Sequence, residues 1–313
     1  MHQVALLIPY YGKLPNYFPF YLNSLAGNEQ LQVIFITDIE MPSSLPSNFQ
    51  VLAMSQQALI NKIEQTLSIQ TNITKPGKLC DFRPAFGDIF SDELQGYSHW
   101  ATGDIDVIYG DVFHQLPNDW AQFDTISMLP HWMSGSLSIF KNIAKVNELY
   151  KKSVAWREIL ESSKHFAFDE CHGLYKQLRS GANIFDLDQK HSLTYLVKAA
   201  HEQGEINAYF SERVIKEKIF DGERVHVSQK RISQQDGREF AYYHLISEKG
   251  LASFTIPEWG EIPNQYIIDR NGFHFSEDYG STLYTLKNKF RGNYQNFKGL
   301  SSKVLNKALK LAS

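Results

Sequence analysis

The sequence predicts an α/β fold built on a largely parallel sheet. Short apolar runs alternate with amphipathic stretches through the first half of the chain, as successive strand and helix units require. The 313 residues are 43% hydrophobic and 21% charged, which is material for a packed core and not for a disordered chain. No apolar run approaches the ~20 residues that cross a bilayer.

Val4 to Ile8 reads as a buried first strand, closed by the loop Pro9-Tyr10-Tyr11-Gly12, and Phe18 to Leu22 opens a helix with Pro19 in its first turn. Leu31 to Ile36 is a second strand ending at Thr37-Asp38, and Gln50 to Met54 a shorter third. Between Ser55 and Ile69, the spacing of Leu59, Ile60, Ile63 and Leu67 predicts a helix. Another helix is expected over 78–94, followed by the strand Tyr97 to Thr102. Strands over 124–129 and 136–140 and helices over 143–150 and 169–178 come next, and short strands with irregular connections are expected from Glu205 to about Phe275. No internal repeat is apparent.

A formal charge of −3 provides no field to gather nucleic acid. The charge is uneven, however: after Asp278 no acidic residue remains, while Lys287, Lys289, Arg291, Lys298, Lys303, Lys307 and Lys310 follow. This basic, amphipathic tail (276–313) either packs on its own domain or rests on an anionic membrane surface. Cys80 and Cys171 lie too far apart to suggest a CxxC pair and offer no disulfide framework, which suits a reducing compartment. Met1-His2-Gln3 leads into an apolar run without a basic region or cleavage site, so a cytoplasmic location is expected, with the tail able to make peripheral contact at the inner face of the plasma membrane.

The sharpest motif is Gly103-Asp104-Ile105-Asp106, two carboxylates at i and i+2 where an apolar strand ends. Alternate residues of an extended segment face one way, so both can meet one hard divalent ion, Mn²⁺ or Mg²⁺, and the phosphates it carries. Its competitor is a polar turn. A second copy, Asp186-Leu187-Asp188, precedes an apolar-periodic run and fits a helix cap better.

Four stretches occur in the order found in a family of bacterial proteins that resembles GT-A glycosyltransferases and is associated with capsule and lipopolysaccharide gene clusters. They are Ile8-Pro9-Tyr10-Tyr11-Gly12-Lys13-Leu14-Pro15, Ile36-Thr37-Asp38, Lys78-Leu79-Cys80-Asp81-Phe82-Arg83-Pro84-Ala85-Phe86-Gly87 and Gly103-Asp104-Ile105-Asp106. The resemblance is good to about residue 170, through Phe166-Ala167-Phe168-Asp169-Glu170, and loose beyond. It implies a GT-A-like domain over 1–275, with a Rossmann-like nucleotide-sugar half over about 1–130, an acceptor half over about 131–275 and an irregular C-terminal extension. It implies transfer of a sugar, as in hexosyltransferases, from a nucleotide diphosphate sugar, with UDP preferred by analogy, to a saccharide or lipid-linked saccharide acceptor.

The resemblance places Pro9, Tyr10, Tyr11 and Asp38 at the nucleoside, a location that ligand binding beyond strand carboxyl ends also favours; aromatic packing is the other reading of the tyrosines. Lys78, Asp81 and Arg83, with Asp104, are expected at the donor sugar and phosphates, or else as a solvated ion-pair cluster. His244 joins Asp104 and Asp106 as a metal ligand, or is a packed core histidine. Asp169 or Glu170 is the expected general base for the acceptor hydroxyl, against a plain helix-capping role. His131, Ser134 and Gly135 could line the acceptor side. Two other classes stand against this reading. One is an inactive saccharide-binding protein of the same fold. The other is a phosphatase with a strand-terminal DxD, which the late position of the motif and Ile108 at its fifth place disfavour.

Overall fold

Val4–Pro9 (β1) and Leu31–Thr37 (β2) are near-continuous apolar runs, as strands covered on both faces must be. They belong to a computed structural model that describes residues 4–212 and 214–275. In chain order the other strands are β3 (Phe49–Ala53), β4 (His99–Gly103), β5 (Val107–Tyr109), β6 (Thr125–Ser127), β7 (Leu137–Lys141) and β8 (Ala208–Phe210). Short strands follow: β9 (Ile215–Lys216), β10 (Val225–Ser228), β11 (Arg231–Gln234), β12 (Glu239–Phe240), β13 (Tyr242–His244), β14 (Gln265–Asp269) and β15 (Gly272–Phe275). The chain divides into two units. The first comprises Met1–Leu14, Asn28–Ile105 and Phe113–Val214; the second comprises Pro15–Gly27, Asp106–Val112 and the chain from Ile215.

The first unit holds the predicted α/β architecture around a seven-stranded sheet of order β3-β2-β1-β4-β7-β6-β8. All neighbours pair in parallel except β7, which is antiparallel to both β4 and β6. Six strands therefore end on one edge of the sheet, and β7 begins there. The helix Gln56–Leu67 is capped by Ser55, whose hydroxyl accepts from the Ala58 amide at 3.2 Å, and it buries Leu59, Ile63 and Leu67 in the main core. Trp100 of β4 stacks on Phe140 of β7 at 4.2 Å within that core.

Three predicted helices are shorter than expected. Residues 76–85 form a 3₁₀ helix and only Phe86–Ile89 is α-helical, because Pro84 inside the segment has no amide to donate. Over 143–150 the chain makes one α turn, Ala144–Asn147, and then a 3₁₀ turn, Leu149–Lys152. Asp169-Glu170 does not open a helix: Ala167, His172 and Gly173 have φ of 53°, 51° and 78°, and the helix starts only at Tyr175. The cap expected at Asp186–Asp188 is also corrected. Ser192 caps the following helix, Leu193–Glu202, through the Tyr195 amide, while Asp188 is buried and serves His172.

The second unit holds a five-stranded antiparallel sheet, β12-β11-β10-β14-β15, and a three-stranded one, β5-β13-β9. Phe20, on the helix Phe18–Leu25, joins Val225, Val227, Ile232, Tyr266, Ile268 and Phe273 in its core. Gly110 lets β5 run close to its neighbour: its amide donates to Ala241 at 2.8 Å, and a Cβ there would lie 2.6 Å from the Phe240 carbonyl oxygen. No helix among the described residues is long and apolar enough to cross a membrane. The basic tail, 276–313, lies outside the described residues.

Candidate functional site

The edge where six strands end carries Tyr10, Tyr11, Asp38 and Asp104. Parallel register sets Pro9 opposite Ile36, and the Tyr10 amide donates to the Ile36 carbonyl at 2.9 Å, so Tyr10, Tyr11 and Asp38 emerge from adjacent strands. The two tyrosines differ in environment. Tyr10 packs its ring 5.9 Å from Phe35 and donates its hydroxyl to Lys13. The Tyr11 hydroxyl is buried with no hydrogen-bond partner, and burial first, then the Asp38 carboxylate, pushes it well above the usual phenol range.

At the end of β4, Arg83 gathers four acceptors. One terminal nitrogen donates to the Gly135 carbonyl at 2.8 Å and to Asp169 Oδ2 at 3.1 Å; the other donates to the Gly103 carbonyl at 3.0 Å and to Asp104 Oδ1. A planar fork is suited to this arrangement, since a lysine ammonium could not span two carboxylates and two carbonyls in fixed directions. Asp169 is 5% exposed, and its Oδ1 has no hydrogen-bond partner. Burial pushes its carboxyl well above the usual range; Arg83 opposes this, and Glu170, Asp81 and Asp104 reinforce it. Glu170 is also raised, chiefly by burial, but both its oxygens are engaged, by the Gly135 amide at 3.2 Å and the Tyr175 hydroxyl at 2.5 Å.

Asp169 and Glu170 sit on a turn, 166–173, that is held in an unfavourable conformation. A left-handed non-glycine residue costs of order 1 kcal/mol or more, and this turn contains two, Ala167 and His172. Long-range bonds fix it. The Phe166 and Phe168 amides donate to Asp81, the Leu193 amide to the Phe168 carbonyl, and the Thr194 amide to the Glu170 carbonyl. His172 Nδ1 meets Asp188 Oδ1 at 2.8 Å, and Asp188 Oδ2 accepts from the Ser192 amide at 2.7 Å. Burial alone would raise Asp188, but His172 and Ser192 hold it at about 2. Its depressed value stabilises the fold above its unfolded-state pKa, and the contribution disappears as pH falls through about 2. Asp188→Asn is therefore expected to destabilise the protein by about 2 kcal/mol at neutral pH, with the gap from wild type narrowing below about pH 4. Urea unfolding across that range checks this; a pH-independent gap would refute it.

The structure overturns the reading of Lys78 and Asp81 as a solvated ion pair. Both are fully buried, and the Lys78 ammonium is used up by Asp81 at 2.9 Å and by the Ile159 and Lys164 carbonyls. They do not form a solvated cluster; they anchor the segment that leads into the Asp169 turn. Ligand-type atoms of Asp81, His165 and Asp169 converge within 4.8 Å, but both Asp81 oxygens are already taken by backbone amides and Lys78. Ser134 and Ser136 lie beside Gly135 and are buried, with their hydroxyls 3.0 Å apart, whereas His131 is exposed. Cys80 and Cys171 are both pushed up to about 12, mainly by burial, so neither is a thiolate nucleophile at neutral pH.

In the second unit, Asp106 is 4% exposed and faces three partners. Lys249 Nζ lies 2.5 Å and His244 Nε2 3.3 Å from its Oδ2, and the Leu245 amide donates to its carbonyl at 2.8 Å. Burial alone would raise the carboxyl, yet His244 and Lys249 hold it far below the usual range. Glu217 Oε1 lies 3.6 Å from the other ring nitrogen of His244, at ion-pair distance. An oxygen and an imidazole with a cation already against the oxygen form a donor set that fits a Mn²⁺-like ion. Sequence reading missed Glu217, Lys249, His172 and Thr194, none of which lies in a local motif, and it took Asp188 for part of a helix cap.

The sequence matches, over residues 6–277, a family described as "Family of unknown function (DUF6625)". No curated protein matches it. Among solved structures the chain is similar to mouse xyloside xylosyltransferase 1 in its apo form, with a TM-score of 0.37 and 11% identity over 77% of this chain and 97% of that one. It is also similar to the galactosyltransferase LgtC in complex with donor and acceptor sugar analogs, with a TM-score of 0.33 and 10% identity over 68% of this chain and 76% of that one.

Proposed function

The chain belongs to that family of unknown function, and from its own residues we propose that it is a metal-assisted glycosyltransferase, moving a sugar from a nucleotide diphosphate, UDP by preference, to a saccharide acceptor. The observation that carries this is the Arg83 node. It ties a strand-end aspartate, Asp104, to a buried aspartate with a free oxygen, Asp169, on a turn held against its conformational preference. Strained, over-determined turns persist where fixed geometry is needed.

In this reading Tyr11 and Asp38 receive the nucleoside, and Arg83 with Asp104 receives the donor sugar and phosphate. Asp169 Oδ1 takes the proton of the acceptor hydroxyl as its oxygen bonds to the anomeric carbon, and the bond from that carbon to the phosphate oxygen breaks with its electron pair leaving on the diphosphate. Glu170 and Tyr175 hold the Gly135 loop beside Asp169. Asp106 and His244 would hold a divalent cation, which when bound supplies Lewis-acid charge. The acceptor class, a bacterial surface polysaccharide or its lipid-linked precursor, is supported by the resemblance over the first 170 residues.

The test is turnover of UDP-sugars after chelation, with and without added Mn²⁺. Activity is expected only with the cation, and Asp106→Asn is expected to lower it by about 10²–10³ while preserving the melting cooperativity. Full turnover in EDTA, or in Asp106→Asn, would overturn the metal assignment. Absence of turnover with every UDP-sugar and cation would favour the non-enzymatic saccharide binder.

A further inference from the structure

We infer that Lys249 is a built-in counter-cation that occupies the Asp106 carboxylate when no divalent ion is bound, so that an entering ion must compete with it. The inference rests on the proposed function only in taking Asp106 and His244 as the ligands of that ion.

The two partners of this ion pair differ in freedom. The Asp106 side chain is 6% exposed and is approached by Lys249 and His244 at the same oxygen, Oδ2. Its backbone is fixed by the Leu245 amide. The Lys249 side chain is 39% exposed, although its own amide is held at 2.9 Å by the Leu245 carbonyl. A long, flexible, partly exposed side chain can withdraw its ammonium to water; a buried carboxylate cannot move to follow it.

Charge explains why the pair exists. Without Lys249, Asp106 would be a buried carboxylate facing an imidazole that itself lies 3.6 Å from the Glu217 carboxylate. Lys249 keeps this acidic cradle neutral enough to stay folded. The same ammonium opposes a metal: protonated lysine has no lone pair to donate, and it sits on Oδ2, the oxygen 3.3 Å from the second ligand atom, His244 Nε2. Two cations on one carboxylate repel, so each weakens the hold of the other.

The expected signature is that removing the lysine charge tightens the metal site. Mn²⁺ binding to the full chain, without nucleotide, is measured by electron paramagnetic resonance for the wild type, Lys249→Met, Lys249→Gln and Lys249→Arg. The two neutral variants are expected to bind Mn²⁺ about tenfold tighter than wild type, and the arginine variant to stay near wild type. Gln can still donate to Asp106, so it serves as the neutral variant should Met compromise folding. As a second readout, Mn²⁺ is expected to raise the melting temperature of the neutral variants more than that of the wild type. Equal or weaker Mn²⁺ binding by the neutral variants would overturn the competition and leave the metal reading standing. No Mn²⁺ binding by any of the four proteins would overturn both.

Discussion

Replacing Arg83 with methionine is expected to lower folding stability by about 3–5 kcal/mol, the cost of removing one partner from a buried ion pair, and to abolish turnover. The guanidinium satisfies the Gly103 and Gly135 carbonyls together with Asp104 and Asp169, and its side chain is only 12% exposed, so water cannot take its place freely. Arg83→Lys restores the charge without the fork and is expected to recover part of the stability and little of the activity. Urea unfolding measures the first effect. A Met variant within about 0.5 kcal/mol of wild type would mean that the node contributes no more than an ordinary surface contact.

Asp169→Asn is expected to slow the chemical step by about 10²–10⁴ with little change in donor affinity. Asp169 is preferred over Glu170 as the base because its Oδ1 is free, whereas both Glu170 oxygens are engaged. A base must be ionised, and burial raises this carboxyl well above its ordinary range. As pH falls through the raised value the base is protonated and kcat drops, so the acidic limb of the profile is expected above the usual carboxylate range of about 4. The limb should vanish in Asp169→Asn and persist in Glu170→Gln. The reverse pattern would exchange their roles, and an unaltered profile in both would reduce the turn to a structural element.

The parts of this picture legible in the sequence are those whose signal is local. β1, β2 and the Gln56–Leu67 helix follow directly from apolar period, and Asp104 and Asp106 were conspicuous because they interrupt apolar sequence at a strand end. The Asp169 turn was misread because Phe-Ala-Phe-Asp-Glu suits a helix locally, and only contacts more than 80 residues away in sequence, such as Asp81 to the Phe166 and Phe168 amides, force Ala167 into the left-handed region. Lys78 and Asp81, at i and i+3, read as a surface pair for the same reason, since their burial depends on the segment 159–168 folding over them. Lys249 carried no pattern, since its partner lies 143 residues earlier.

The single reversed strand, β7, divides the connections of the first unit into two kinds of work. At the edge where the other six strands end, the loops carry Tyr11, Asp38, Asp104 and Gly135. At the opposite edge, polar side chains bind neighbouring backbone: Asn48 donates to the Asn28 and Leu31 carbonyls, Asn142 to those of Leu94 and Tyr97, and Asp124 accepts from the Asn207 amide. That second set closes the framework without presenting a group to a ligand. Substitutions at the first edge are therefore expected to leave the strand register intact, because the bonds that hold it lie at the second.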